Sequence, residues 1–329
     1  MNYDKILQKK KLLDTFRPLA FELVSNLEGW LRVELTYTSN AIEGNTLSRL
    51  ETSVILEKGI TIGGKTLVEH LEVTNHAKAL DYIRTLINLK PNLLTENHLL
   101  KIHELILSGI DNVNAGFYRS VPVRISGSSV ILPNPRKVPD LMKEFLEWLT
   151  YTTINNPIEF ASQVHLRLVT IHPFIDGNGR TARLLMNLIL MMFGFPPAII
   201  RKSERLIYLT SLEKAQLTGN TSSYEKIMMK AIDRTLTIYL KAVQGDSSQE
   251  DLDQNFLLKI GSLAAKTNLS ISTIRHWTKL ELLECEKGKE NGYQMYSTEM
   301  IKRCELIKKL KGQRLSLEEI KENMGNSDL

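Results

Sequence analysis

The stretch His172-Pro173-Phe174-Ile175-Asp176-Gly177-Asn178-Gly179-Arg180-Thr181-Ala182-Arg183 stands directly before the most apolar run of the chain, 184–200. Its Gly-Asn-Gly centre is a turn in which positive φ angles are easily adopted. Apolar residues then recur at helical spacing, at Leu184, Leu185, Leu188, Ile189 and Met192. The stretch therefore predicts a tight loop that runs into a buried helix from about Arg180. The N-terminus of such a helix binds phosphate through free backbone N–H groups and the positive end of the helix dipole.

The charged residues of this stretch fit the same anion site. Arg180 and Arg183 lie three residues apart, near one face of the first helical turns. Arginine is unfavourable at a helix N-terminus, so two of them there indicate that an anion is expected. Asp176 has the character of a carboxylate that shares Mg2+ with phosphate oxygens. His172 can act as a neutral base near pH 7. Together they predict a site for phosphoryl-type transfer.

The whole chain allows about two globular domains. It has 329 residues, a formal charge of +5 and two cysteines, Cys285 and Cys304, which are not in a C-x-x-C pair. We therefore expect no disulfide framework and no zinc site, and a reducing, cytoplasmic location. The N-terminal residues do not resemble a signal peptide. The run at 184–200 is interrupted and too short to span a bilayer, so we expect no membrane association.

Helical periodicity dominates, and the predicted fold class is all-α with one β-hairpin. The hairpin is expected at 121–131, where β-branched residues flank a Ser-Gly-Ser-Ser turn. The clearest linker is the polar segment 244–255. The expected domains are an N-terminal helical region at 1–90, a catalytic core at 91–243 and a small module at 256–329.

A second phosphate-binding pattern occurs at 59–66, which fits the P-loop sequence G-x-x-x-x-G-K-T. A P-loop must connect a buried strand to a helix. Here Ser48 and Glu51 form a capping-box pattern, and helical spacing of apolar residues follows it. The segment is therefore predicted to be a helix–turn–helix connection and not a nucleotide site.

The stretch 172–183 matches, without a gap, the signature H-P-F-x-D/E-G-N-G-R-x-x-R of the Fic family, which this chain resembles. The likeness extends over about 30–243 and includes 115–119 before the expected hairpin and 132–135 after it. It implies an all-helical enzyme that transfers the AMP of ATP to Ser, Thr or Tyr of a target protein, or of itself, and releases pyrophosphate.

The resemblance also implies a role for each matching residue. His172 would deprotonate the target hydroxyl, Asp176 would hold Mg2+ between the α- and β-phosphates, and Arg183 would bind the γ-phosphate. The further ATP-binding residues would be Gly177, Asn178, Gly179, Arg180, Thr181, Tyr208 and Gln216. The hairpin would be a flap whose edge, Val123, Arg124 and Ile125, aligns the target backbone by strand addition. His165 is interpreted as a packed structural histidine.

An inhibitory motif of the same family, S/T-x-x-x-E-G/N, is matched by Ser39-Asn40-Ala41-Ile42-Glu43-Gly44. Its position before the catalytic core resembles the second regulatory class of the family. Glu43 would pair with Arg183 and so remove the partner of the γ-phosphate, with Ser39 as part of the motif. Coupling of roughly 1–3 kcal/mol would repress transfer ~5–150-fold. Some related proteins use the same glutamate to remove AMP from their targets, so net attachment and net removal both stay open.

The segment 260–277 reads as helix, turn, helix, with Ser270 or Ser272 capping the second helix. A tight wing-like turn at 291–297 and a basic helix through Lys311 follow. This module resembles the winged helix-turn-helix of the MerR family. Because it is barely basic, two alternatives stay open: DNA binding by a regulator with a sensory Fic domain, or protein docking, including formation of a homodimer.

Overall fold

The computed structural model of the protein describes residues 3–245, 258–287, 294–296, 299–312 and 315–320. The chain divides into two compact units, Met1–Gly245 and Asp246–Leu329. Each unit has its own hydrophobic core. The segment predicted as a linker spans the boundary between the units, and its positions 246–255 lie outside the described residues.

The first unit is helical, which confirms the predicted fold class. Within 3–245 the structure has ten α-helices: α1 (Tyr3–Asp14), α2 (Phe21–Ile42), α3 (Arg49–Lys58), α4 (Leu67–Thr85), α5 (Glu96–Leu107), α6 (Val138–Tyr151), α7 (Pro157–Ile171), α8 (Asn178–Met192), α9 (Arg205–Thr218) and α10 (Ser222–Val243). Short 3-10 helices occupy Pro91–Leu93, Pro135–Lys137 and Lys202–Glu204. One main core joins residues of nearly all these helices, from Ile6 to Leu240.

Helix α8 lies in the middle of this unit. It packs against α2, α4, α5 and α7, and its residues are buried from Arg180 through Leu190. The apolar run that begins at Leu184 is therefore an interior helix that other helices surround. None of the helices in the described ranges is long and apolar enough to cross a membrane.

The connection between α3 and α4 is the predicted helix–turn–helix. Ser48 and Thr66 each form a capping box at the start of their helix, and Gly59 ends α3 in the left-handed conformation. Lys65, the lysine of the P-loop-like pattern, donates to Thr46 O at 2.7 Å and to Thr46 Oγ1 at 2.9 Å. Because a helix and not a strand precedes the turn, this segment is not a P-loop.

The flap segment differs from its prediction. The expected turn is present, because Ser128 N–H donates to Ile125 O at 3.2 Å and Gly127 has a φ of 74°. Among the described residues 121–131, however, no strand is paired with another. Ser128 Oγ and Ser129 N–H donate instead to Glu213 Oε1 on α9, at 3.0 and 2.6 Å. Pro122 also lacks the N–H that a ladder would use. The flap is thus a turn tied to α9.

The second unit combines a helix-turn-helix with a small sheet. Its described elements are β1 (Leu258–Lys259), α11 (Ile260–Thr267), α12 (Ile271–Lys279), β2 (Glu286–Lys287), β3 (Gln294–Tyr296) and α13 (Glu299–Gly312). The strands pair antiparallel in the order β1-β3-β2. Ser270 caps α12 by accepting from Thr273 N–H at 3.0 Å. Of the predicted wing-like turn at 291–297, positions 291–293 and 297 lie outside the described residues.

Candidate active site

The loop between α7 and α8 is held closed by Asn178. Its Oδ1 accepts from Phe174 N–H and its Nδ2 donates to Phe174 O, both at 2.9 Å. Gly177, with a φ of 75°, lets the chain turn into α8 without steric cost. At the other end of the loop, His172 terminates α7 with a φ of 51°, which is uncommon for a residue other than glycine. Such backbone conformations persist where the surrounding structure fixes them, and they concentrate at functional sites.

His172 has the protonation state of a general base. Its Nδ1 lies 3.3 Å from the carbonyl oxygen of Val169, which can only accept, so Nδ1 carries the proton. The lone pair of Nε2 is therefore available. Burial lowers the pKa of His172 below its usual 6.5, which keeps the ring neutral at pH 7.

Arg119 joins the loop to the flap. It is only 2% exposed. Its Nε donates to His172 O at 2.8 Å, and its backbone N–H donates to Pro173 O at 2.9 Å. On its other side, Nη2 donates to Pro133 O at 2.7 Å, and Nη1 to Val121 O at 3.3 Å. One guanidinium thus fixes the base and both ends of the flap. The sequence identified Arg119 only as part of a matching segment.

His103 on α5 packs against the loop between α7 and α8. Its ring stacks on Phe174 with centroids 3.6 Å apart. Gly116 N–H donates to Nδ1 at 3.0 Å, so Nε2 carries the proton and donates to Asp176 O, also at 3.0 Å. Burial lowers the pKa of His103 to about 4, so this neutral tautomer persists at pH 7. A lone histidine on a buried helix face gives no signal in the sequence that would reveal this role.

The two arginines of the motif are buried at the N-terminus of α8, with exposures of 2% for Arg180 and 5% for Arg183. Arg180 Nη2 donates to Asp176 Oδ2 at 2.9 Å, while the Asp176 side chain remains 65% exposed. Arg183 Nε donates to Ser39 Oγ at 3.0 Å and Nη2 donates to Ser39 O at 2.9 Å. Buried cations need anionic partners, and each arginine has at least one.

The anionic partner of Arg183 is Glu43. Arg183 Nη2 donates to Glu43 Oε1 at 2.7 Å. The same oxygen lies so close to the backbone of Gly179 that a Cβ atom at that position would clash with it. Glu43 follows the last residue of α2 and is itself followed by Gly44, with a φ of 101°. A carboxylate therefore lies over the N-terminus of α8, where the sequence predicts phosphate.

Glu72 on α4 was not identified from the sequence. Its Oε1 accepts from Arg180 Nη1 and its Oε2 accepts from Asn45 Nδ2, both at 2.8 Å. Its backbone carbonyl accepts from Asn40 Nδ2 at 3.2 Å. The carboxylate of Glu72 thus links the segment around Glu43 to Arg180. The partners are 27 and 108 residues away, so no local pattern could have revealed them.

Two of the residues predicted to bind ATP are buried. Thr181 is fully buried, and its N–H donates to Gly177 O within the first turn of α8. Tyr208 is 1% exposed, with its hydroxyl group 2.8 Å from His165 Nε2. Their roles in ATP binding stay predictions. Gln216 is half-buried and donates to Val169 O at 3.3 Å, close to His172.

The edge predicted to align a target remains at the surface. Val123 and Ile125 are half-buried and Arg124 is exposed. Backbone N–H and C=O groups at this edge are not used in a strand ladder among the described residues of the flap. The segment could therefore accept an added strand.

Two segments of this chain match known protein families, and the chain is similar in sequence to named relatives. The sequence profile of the Fic/DOC family matches residues 93–190, and that of the MerR HTH family of regulatory proteins matches 258–326. The chain is 40% identical to a protein adenylyltransferase Fic of Nematostella vectensis, over 62% of this chain and 48% of the relative. A relative of the same name from Culex quinquefasciatus is 38% identical, over 73% of this chain and 48% of its own. The chain spans about half the length of the curated relatives it matches.

Two solved structures of Fic proteins are also similar to this chain. Fic-1 of C. elegans is 34% identical, with a TM-score of 0.66 and coverage of 74% of each chain. A Fic-domain-containing signaling protein of Bacteroides thetaiotaomicron is 29% identical, with a TM-score of 0.68 and coverage of 74% of this chain and 98% of its own.

Proposed function

The chain belongs to the Fic/DOC family, and from this premise we propose that it transfers the AMP of ATP to a hydroxyl group of a protein, with its own resting state inhibited. The observation that carries the proposal is the carboxylate of Glu43 at the N-terminus of α8, on Arg183 and against Gly179. A helix N-terminus with a buried arginine that holds a carboxylate can hold a phosphate in the same place.

The reaction needs a base and a bound triphosphate. The oxygen of the target hydroxyl attacks the α-phosphorus of ATP, and the bond from that phosphorus to the α–β bridging oxygen breaks. Pyrophosphate leaves, and the proton of the hydroxyl passes to Nε2 of His172, whose lone pair is free. Backbone N–H groups at Gly177, Asn178 and Gly179, with Arg180, would stabilise charge on the phosphates.

Magnesium would be held by Asp176. Its carboxylate is largely exposed beside the cradle, which fits a cation that takes one protein oxygen and completes its shell with phosphate oxygens and water. Bound there, the metal would neutralise charge on the α- and β-phosphates. Arg180 donates to the same carboxylate and would help to orient it for the metal.

Inhibition follows from competition for Arg183. The γ-phosphate and Glu43 would both bind its guanidinium, and Glu43 directly follows α2, the helix that carries Ser39. While Glu43 is in place, ATP would lack its γ-phosphate partner. The same carboxylate could orient water for the removal of AMP from a modified protein, which is the alternative direction of this chemistry.

The target protein is proposed to add a strand at Val123, Arg124 and Ile125, and the chain itself is a candidate target. We further propose that the protein works in the reducing cytoplasm, because its two cysteines, Cys285 and Cys304, do not form a C-x-x-C pair in the sequence.

The test is label transfer from ATP. Compared with lysate alone, lysate with Glu43→Gly protein should incorporate more label from α-32P-ATP and no more label from γ-32P-ATP, because AMP and not phosphate moves. Glu43→Gly/His172→Ala is the matched control and should increase neither label. An increase in label from γ-32P-ATP, or an increase from α-32P-ATP that persists without His172, would contradict AMP transfer.

A second activity, DNA binding, is favoured by the match to the MerR family and by the exposed face of α12. Ser272, Arg275 and His276 are exposed on this capped helix, and Thr273 is half-buried. The full-length protein should bind DNA with an affinity that falls steeply with salt, and Arg275→Ala should weaken it. Retained binding without salt dependence, or no binding at all, would favour docking to a protein or a second copy of the chain.

A further inference from the structure

Arg180 is held between two carboxylates. Its Nη2 donates to Asp176 Oδ2 at 2.9 Å, and its Nη1 donates to Glu72 Oε1 at 2.8 Å. The guanidinium is buried, and among the described residues its Nε has no hydrogen-bond partner. Within the described ranges, the position of this guanidinium therefore depends on Asp176 and Glu72.

The two carboxylates lie in different surroundings. The side chain of Asp176 is 65% exposed, whereas that of Glu72 is 17% exposed. Among the residues that the structure describes, Asp176 accepts through Oδ2 alone, so its Oδ1 is available to a cation from solvent. Both oxygens of Glu72 are engaged, since Oε2 accepts from Asn45 Nδ2 at 2.8 Å. Asp176 is thus open to a ligand, and Glu72 is fixed in place.

The charge of Glu72 bears on what Asp176 can bind. A guanidinium 2.9 Å from a metal-binding carboxylate repels a divalent cation and opposes its binding. Glu72 lies against the same guanidinium and offsets its charge. Arg180 contributes one positive charge and each carboxylate one negative charge, so the group has a net charge of −1. This balance favours a cation at Asp176.

The arrangement does not depend on the contact between Glu43 and Arg183. Glu72 lies on α4 and Arg180 on α8, and these two helices pack against each other. The backbone of Asp176 is held separately, because His103 Nε2 donates to its carbonyl oxygen at 3.0 Å. The direction of the Asp176 side chain is then determined by Arg180, and that of Arg180 by Glu72.

We propose that Glu72 is a positioning residue for the magnesium site. It holds the guanidinium of Arg180 and offsets its charge, so that the free oxygen of Asp176 binds the cation. The inference rests on the proposed role of Asp176 as the magnesium ligand. Glu72 touches neither the metal nor the nucleotide, and it acts through Arg180 and Asp176.

The test measures how much Mg2+ strengthens ATP binding. The parent protein is Glu43→Gly/His172→Ala, which is released from inhibition and lacks the base. Calorimetry gives its Kd for ATP with EDTA and with Mg2+, and the ratio of these two values is the magnesium gain. Adding Glu72→Gln should lower the magnesium gain about 10-fold, as is usual when the partner of a metal ligand is replaced. Binding in EDTA should be no weaker than in the parent.

A double-mutant cycle shows whether Glu72 acts through Asp176. Asp176→Asn should itself lower the magnesium gain. Adding Glu72→Gln to Asp176→Asn should cause little further loss, because the carboxylate that Glu72 positions is no longer there. Equal losses with and without the Asp176 carboxylate would mean that Glu72 acts only as a nearby charge, and would overturn the positioning role.

Two variants of matched chemistry complete the comparison. Glu72→Asp keeps the charge and should retain more of the magnesium gain than Glu72→Gln. Glu69→Gln makes the same change three residues earlier on α4. Glu69 accepts from the backbone N–H groups of Thr46 and Thr66, each at 2.9 Å, and forms no ion pair with Arg180, so Glu69→Gln should keep the magnesium gain of the parent.

The outcomes separate this inference from the proposed function. Normal ATP binding in EDTA also shows that Glu72→Gln is folded. An unchanged magnesium gain in Glu72→Gln, or an equal loss of affinity with Mg2+ and with EDTA, would show that Glu72 does not position the metal ligand. If the ATP affinity of the parent does not respond to Mg2+, or if Asp176→Asn keeps the full gain, the proposed metal site is wrong, and the inference fails with it.

Discussion

Replacing Glu43 by glutamine removes the charge that holds Arg183 and keeps the side chain's shape. The carboxylate accepts from Arg183 at 2.7 Å, with side-chain exposures of 6% for the arginine and 35% for the glutamate. A hydrogen bond to a charged group contributes about 1.5–3 kcal/mol, and solvent around Glu43 favours the lower end. We therefore expect the inhibited state to lose about 1.5 kcal/mol, which raises AMP transfer about 10-fold.

The assay is the initial rate of AMP incorporation from α-32P-ATP at an ATP concentration below saturation. There the rate reports the fraction of protein in which Arg183 is free. Glu43→Gly removes the acceptor as well and should exceed Glu43→Gln, up to ~150-fold over the original protein. Glu28→Gln is the matched control, because it makes the same change on the same helix, in a residue that pairs with Arg84 at 3.7 Å.

A rate that stays the same or falls in Glu43→Gln and in Glu43→Gly would refute the reasoning, because the contact would then not limit access to Arg183. An equal rise in Glu28→Gln would refute it too, since the effect would come from a general loosening of α2.

Three other outcomes follow from the same geometry. In the Glu43→Gly background, Gly179→Ala should strongly weaken ATP binding measured by calorimetry, because its Cβ would fill the cradle 3.1 Å from Arg183 Nη1; normal ATP affinity would contradict the cradle. In a pH profile of kcat/KM for Glu43→Gly, activity should be half lost on the acid side below pH 6.5. Burial lowers the pKa of His172, so the base is protonated only when the pH falls through that lowered value. A midpoint above pH 6.5 would contradict His172 as the base. Burial also lowers the pKa of His76 and His165 to about 3, so unfolding binds protons below pH 6.5. Denaturant unfolding at pH 5 should then show a loss of about 2 kcal/mol per histidine relative to pH 7, and His165→Phe should reduce the total by that amount.

Structural features that depend on residues close together in the chain were predictable from the sequence. The turn at Gly177, the interior helix from Arg180 and the position of His172 before them follow from residues that are neighbours in the chain, where spacing determines geometry. The capping box at Ser48 is equally local. It separated a helix–turn–helix from a P-loop, because four residues determine such a cap.

Contacts that join distant segments were not predictable from periodicity. His103, Arg119 and Glu72 support the loop through single side chains that reach across the fold, and nothing around them in the sequence indicates what they meet. The prediction of a β-hairpin at the flap was wrong for a related reason. Its β-branched residues favour strands, but Glu213 on α9 takes the backbone N–H of Ser129.

The surroundings of Tyr208 were not predictable from the sequence either. Its hydroxyl group lies 2.8 Å from Nε2 of His165, which is 43 residues away in the chain. Both side chains are buried, and no local pattern around either residue indicates this pairing. The predicted role of Tyr208 in ATP binding stays a prediction.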